Sequence, residues 1–214
     1  MNVLVIGANG KIGKQLVKLL SESGEHRATA MIRDEKQKPD FEIMGAMTVV
    51  ADLEDRTETI ALAMEGMDAV VFTAGSGGHT GPDKTLLIDL DGAAKSVEAA
   101  RQTGVGRFLM VSAIGADDRE RWSDQIKPYY VAKHHADNIL LASGLDYTIV
   151  RPGLLLDKPG TGRISAAEHL EPGGVPREDI ARVLYEALGT ETTRNRSFDV
   201  TSGDTPVREA LANL

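Results

Sequence analysis

The chain has no cysteine, so no disulfide, thiolate nucleophile or cysteine-ligated metal can enter its chemistry. Its five histidines show neither HxxxH nor HExxH spacing, which argues against a metal enzyme. Aromatic residues make up only 4% of the composition, and none interleave with a basic run as they do on nucleic-acid-binding faces. A formal net charge of −8 opposes attraction to DNA, RNA or anionic lipid. No apolar run approaches the roughly 18 residues needed to cross a bilayer, and no charged-then-apolar leader opens the chain. These absences leave a cytoplasmic protein acting on a small-molecule substrate, with no nucleic-acid or membrane partner. Nothing in the sequence marks an oligomeric state.

What is present is concentrated at the start. Asn2 to Ile6 is a short β-branched apolar run that breaks into Gly7-Ala8-Asn9-Gly10-Lys11-Ile12-Gly13, after which Leu16, Val17, Leu19 and Leu20 recur at helical spacing. This reads as strand, glycine turn and helix. The helix start offers free main-chain N–H groups and the positive end of its dipole to a pyrophosphate. Gly7 permits the tight turn, Gly10 lets phosphates approach the main chain, and Gly13 lets the helix lie close on the strand. Asn9, Lys11 and Ile12 complete the loop. The spacing is GxxGxxG, a variant of the usual GxGxxG fingerprint.

Strand and helix patterns then alternate, the signature of a parallel sheet covered on both faces. Further strands are expected at 27–32, 48–51, 69–73, 107–111, 147–150 and 197–200. Helices are expected near 35–44, 58–64, 83–102, 128–142, 177–188 and 206–213, the last capped by Thr205 with Pro206 in its first turn. The glycine- and proline-rich stretches 75–82, 153–162 and 171–176 fall between elements and read as loops. The expected architecture is one doubly wound α/β domain over residues 1–214, with residues 153–177 forming short loops on the substrate side. Ligands of such folds bind at the carboxyl ends of the strands.

The second strand ends in Arg33, about 20 residues beyond the glycines, where NAD-specific sites place an acidic residue. A guanidinium there pairs with a 2′-phosphate and stacks on adenine, favouring NADP(H) over NAD(H), with Lys11 or Lys36 as helpers; otherwise it is a solvated strand end. Asp52-Leu53 follows the third strand: the carboxylate either accepts from the adenine amino group while Leu53 packs on the ring, or caps the next helix. After the fourth strand, Ala74, Gly75 and Ser76 are small enough for a flat cofactor to pass. His79 in the same stretch is either an acid–base group or simply exposed.

The fifth strand delivers Ser112, and Tyr129 and Lys133 follow four residues apart, on one face of a helix. An ammonium beside a phenol is expected to lower the phenol's pKa from its ordinary ~10. Trp122, the lone tryptophan, precedes that helix and either lines the substrate site or covers it.

Taken in order, GANGKIG, Asp52-Leu53, Ala74-Gly75, Ser112, Tyr129xxxLys133 and Arg151-Pro152-Gly153 resemble the short-chain dehydrogenase/reductase superfamily, and within it the atypical NAD(P)-binding members named as epimerases or NAD(P)H oxidoreductases. The resemblance implies that Tyr129 exchanges the proton, Lys133 also holds the nicotinamide ribose, and Ser112 orients the substrate. It implies too that Pro152, Gly153 and Leu154 line the nicotinamide end. Asp89 stands where many relatives carry Asn, which alters any proton relay, and the region after Gly153 is short for a nucleotide-sugar epimerase. The leading expectation is an NADPH-dependent reductase of a carbonyl, quinone or flavin-like acceptor. The alternatives are an NADP(H)-binding redox sensor or partner-binding module, and an epimerase or dehydratase that retains its NAD(P).

Overall fold

The computed structural model describes residues 1–78 and 80–214; His79, considered above as an acid or base, lies outside the described residues. The glycine loop joins β1 (Asn2–Ile6) to α1 (Lys11–Glu22), and the chain continues through β2 (Arg27–Ile32), α2 (Lys38–Glu42), β3 (Met47–Val50), α3 (Thr57–Met64) and β4 (Ala69–Phe72). A long helical segment follows: α4 (Pro82–Lys84), a π-helical stretch Thr85–Gly92, and α5 (Ala93–Thr103). Next come β5 (Arg107–Val111), α6 (Lys127–Leu141), β6 (Tyr147–Pro152), β7 (Leu154–Leu156), β8 (Arg163–Ala167), β9 (Gly174–Pro176) and α7 (Arg177–Gly189). The chain closes with β10 (Arg196–Ser202), β11 (Thr205–Pro206) and α8 (Val207–Ala212).

Nine strands form one sheet in the order β11-β8-β10-β6-β5-β4-β1-β2-β3. From β3 to β10 every neighbouring pair is parallel. The order reverses between β1 and β4, which is where doubly wound sheets open a crevice for ligands at their strand ends. Successive side chains of a strand face opposite ways, so Val3 and Val5 of β1 join α1 and α7 on one face while Leu4 and Ile6 join α3, α5 and α6 on the other. The apolar stripe Ile12, Leu16, Val17 and Leu20 of α1 is buried, and each such residue contributes about 1.5–3 kcal/mol. At the amino end of the sheet, the buried Arg107 guanidinium donates to Asp146 Oδ1 at 3.0 Å, Thr148 Oγ1 at 2.5 Å, the Ala187 carbonyl at 3.2 Å and Thr193 Oγ1 at 3.1 Å. It fastens β5 to β6 and α7.

The structure corrects several sequence expectations. The sheet is not wholly parallel, because β8 runs antiparallel to both β10 and β11. The stretches expected to be loops at 153–162 and 171–176 contain β7 and β9, which pair in a small parallel sheet of their own. Strands of three residues show no alternation to read. Thr205 and Pro206 do not begin the last helix; they pair with β8, and Pro206 becomes the N-cap without a side-chain hydrogen bond. The expected helix at 35–44 is a 3₁₀ turn, Glu35–Gln37, run into the short α2, with Asp34 and Gln37 forming a capping box.

Candidate functional site

The turns after β1 and β4 meet at the crevice where the strand order reverses. Gly7 adopts φ +79°, and a Cβ there would sit 2.5 Å from the Ala74 main-chain nitrogen, so the turns after β1 and β4 touch only because Gly7 is a glycine. Gly13 packs α1 on the loop: its Cβ would meet the Gly7 carbonyl oxygen at 2.3 Å. Gly10 differs in being exposed, a Cβ there meeting only that same oxygen, at 3.1 Å. It is the N-cap of α1, and no side chain caps the helix, which leaves first-turn N–H groups free for an anion. This donor set fits a dinucleotide pyrophosphate.

The flanking residues are less uniform. Arg33 is exposed at the end of β2 and makes no ion pair among the described residues; its main-chain N–H donates to Gln37 Oε1 at 3.0 Å. Lys11 is already paired, at 2.6 Å, with Asp157 just beyond β7, and Arg177 reaches the same carboxylate at 2.8 Å. The hydrogen bond from Lys11 and the charge of Arg177 hold the Asp157 carboxyl below its usual range. Asp52 serves its own turn, accepting from the Glu54 N–H at 3.0 Å. It does not cap α3, whose N-cap is Arg56, so the capping alternative is corrected to a turn one step earlier. Leu53 is buried against Gly92 of the π-helical stretch.

The reactive groups converge between β5 and α6. Ser112, directly after β5, is 2% exposed, and its hydroxyl oxygen has no hydrogen-bond partner among the described residues. The Lys133 ammonium is buried, donates to the carbonyl of Val111 at 3.3 Å, and lies 3.1 Å from Asp89 Oδ1 and 5.6 Å from the centre of the Tyr129 ring. Asp89, 1% exposed, accepts from the Ser76 N–H at 2.9 Å through Oδ2. Burial opposes the Lys133 charge, but Asp89 and Tyr129 more than offset it, so Lys133 is held above the usual lysine range. For Tyr129, burial of the phenol is the largest influence and raises its pKa; Lys133 pulls it down, and Asp89 pushes it back up. The expected lowering of the phenol by its lysine is therefore corrected, because burial of the phenol outweighs the pull of the ammonium, and Asp89 adds to the rise.

Sequence reasoning missed the layer behind these groups. Asp137, four residues beyond Lys133 on the same helix face, receives Arg151 Nε at 3.0 Å, and Arg151 Nη1 reaches Asp117 at 2.8 Å. The run Tyr129, Lys133, Asp137 at four-residue intervals was the available signal. Burial raises the Asp137 pKa, against Arg151 and the nearby Ser112 hydroxyl, although no well-formed hydrogen bond joins Ser112 to it. Trp122 donates to the Gly115 carbonyl at 3.1 Å, stacks on Tyr130 with ring centres 6.1 Å apart, and meets His134 edge-on at 5.4 Å. Arg119 lies over the Trp122 ring, so the tryptophan tethers its loop to α6. Pro152 ends β6. Gly153 then passes so close to the neighbouring segment that a Cβ would stand 2.0 Å from the Gly173 carbonyl oxygen. Leu154 is 73% exposed toward the open side.

Comparison with known proteins agrees with this fold. Residues 7–191 match a family described as NAD(P)H-binding. A Bacillus subtilis protein named as an uncharacterized sugar epimerase is 56% identical over 214 residues, covering 100% of both chains. A solved structure from Bacillus halodurans carrying the name NAD-dependent epimerase/dehydratase superposes with a TM-score of 0.95 at 42% identity, covering 100% of both chains. Sanguinarine reductase of Eschscholzia californica is 27% identical over 257 residues, covering 100% of this chain and 93% of that protein. A doubly wound sheet with a glycine loop at its crevice, matched over most of its length by that family, makes this chain a member of the NAD(P)H-binding Rossmann proteins of the atypical short-chain dehydrogenase/reductase type.

Proposed function

We propose that the protein is an NADPH-dependent reductase of a small carbonyl, quinone or flavin-like acceptor. The observation that carries this reading is the convergence of the buried Ser112 hydroxyl at the end of β5, a lysine tied to the preceding carbonyl and a tyrosine on the same helix face.

The glycine loop and Asn9, Lys11 and Ile12 would hold the pyrophosphate. Arg33 would take the 2′-phosphate, Asp52 and Leu53 the adenine, Ala74, Gly75 and Ser76 the passing dinucleotide, and Pro152, Gly153 and Leu154 the nicotinamide end. When bound, the nicotinamide supplies a hydride to the acceptor carbon. Ser112 donates a hydrogen bond to the acceptor oxygen, and Tyr129 gives that oxygen its proton as negative charge develops, with solvent restoring the phenol afterwards. Lys133 holds the ribose and balances the charge. A phenol whose pKa is raised stays protonated through neutral pH, so the donor form is the one present, as a weaker acid than a free phenol. No described helix is long and apolar enough to cross a membrane.

A panel of carbonyl, quinone and flavin acceptors with NADPH identifies the substrate class. On the best of them, Tyr129→Phe is expected to lower turnover by about 10²–10⁴ while NADPH affinity stays within a few-fold. Full activity in that variant refutes the assignment. The relatives named as epimerases sustain a second reading, in which NAD(P) is retained and restored at each cycle; cofactor that copurifies with the protein and is not consumed would favour it.

A further inference from the structure

Asp89 is unusual in how it reaches the site. It lies in the π-helical stretch Thr85–Gly92, between α4 and α5, and π turns inside helices often mark functional positions. The widened turn carries an acidic side chain to 1% exposure, where one oxygen accepts the Ser76 N–H and the other faces Lys133. Room for it comes from Gly75, whose Cβ would stand 3.1 Å from Asp89 Oδ1. Lys133 is 4% exposed, with only the Val111 carbonyl as a further acceptor among the described residues.

Neither charge is stable alone at such burial: an unpaired buried ammonium gives up its proton, and an unpaired buried carboxylate takes one up. The geometry points to Asp89 as a positioning residue that keeps Lys133 charged and oriented between the β4 loop and β5, so that Tyr129 meets its acceptor as a neutral phenol. The surrounding charges agree. From α6 the centre is faced by Tyr129, Tyr130 and Asp137, from the π-helical stretch by Asp89, and from β5 by the Val111 carbonyl and Ser112; Arg151 of β6 neutralises Asp137. Arg151 is shared with Asp117, so two cations face three carboxylates and no net positive charge is left to draw the proton off the phenol. An asparagine at position 89 would leave the centre one unit more positive, and the Tyr129–Lys133 pair would lose its first proton sooner. With Asp89 the site favours donating a proton to a reduced acceptor over abstracting one from an alcohol. This inference rests on the reading of Tyr129 as the proton donor.

The test is an NMR titration of the full chain carrying ring-labelled tyrosine and side-chain-labelled lysine, assigned with Tyr129→Phe and Lys133→Met. In Asp89→Asn the first proton of the pair is expected to leave at least about one pH unit below its wild-type position, and the alkaline limb of the pH–rate profile should move with it. A folded variant with an unmoved titration overturns the proposal. The wild type supplies a check that needs no Asp89 variant: Lys133 should stay charged at least as far into the alkaline range as a free lysine does, and a lysine that deprotonates near neutrality overturns the proposal too. If Asp89→Asn shifts the titration but Tyr129→Phe retains full turnover, the role of Asp89 stands and only the assignment of the donor falls.

Discussion

Replacing Arg33 by alanine should separate the two nicotinamide cofactors. The guanidinium is exposed and free of ion pairs among the described residues, so it reaches a 2′-phosphate without first breaking a contact. The neighbouring carboxylate does not compete strongly, because Asp34 is turned into its own 3₁₀ turn, accepting from Lys36 N–H at 2.9 Å. Of the two basic helpers, Lys11 is committed to Asp157, whereas Lys36 makes no ion pair among the described residues and can supply part of the preference. A charge-assisted contact contributes about 1.5–3 kcal/mol, and each 1.4 kcal/mol is tenfold in affinity, so the loss for NADPH should be about tenfold to a hundredfold. Exposure and salt screening place it toward the lower figure. NADH lacks the phosphate and should bind wild type and variant alike. Titration of both cofactors, followed by nicotinamide fluorescence at low and high salt, measures the four affinities. Equal wild-type affinities, or a loss shared equally by NADPH and NADH, would refute the reasoning, and Arg33→Lys should recover only part of the preference because it offers a point charge in place of a fork.

Gly10→Val should fold with a melting temperature close to that of wild type, since the position is exposed and an added Cβ meets only the Gly7 carbonyl oxygen, and should abolish NADPH binding measured by calorimetry; normal binding would show that the phosphate loop is misassigned. Asp199 is fully buried in β10, and its carboxyl pKa is raised, chiefly by burial, against the Leu170 N–H, with Asp117 pushing it further up. The folded state therefore keeps this proton to higher pH than the unfolded chain does. Its contribution to stability is greatest below the unfolded carboxylate pKa, ~3.9, and declines as pH rises through the folded value. Asp199→Asn keeps an acceptor for Leu170 and should flatten that decline in urea denaturation between pH 4 and 7; a variant with unchanged pH dependence would contradict it.

Local pattern was enough to read the nucleotide half of the molecule. β1, the glycine loop and α1 announce themselves through a β-branched run, three glycines and an apolar stripe, each a near-neighbour signal, and the structure places them as expected. The Tyr129–Lys133 spacing likewise follows from one helix. Features made by distant segments were illegible. β7 pairs with β9 about 20 residues away, and β11 pairs back on β8 across α7 and β10, so neither pairing leaves a local period. Asp89 was seen as a departure from a pattern, but its partnership with Lys133, 44 positions along the chain, depends on a π-helical turn with no sequence signature of its own. The direction of the Tyr129 shift was misjudged because it is set first by burial of the phenol, which local spacing does not show, and then by Asp89 from a distant helix.

The antiparallel turn at the end of the sheet has a consequence for association. A sheet edge offers unpaired N–H and carbonyl groups to any passing strand. On one side the edge is β11, two residues long; Pro206 has no N–H to give, and the next N–H, of Val207, is already bonded to the Gly162 carbonyl. That margin is blunted against strand addition. The opposite margin is β3, four residues long, with Met47 and Val50 both exposed. Of the two margins, a strand from another chain would find its template at β3, the far end of the sheet from β8 and β11.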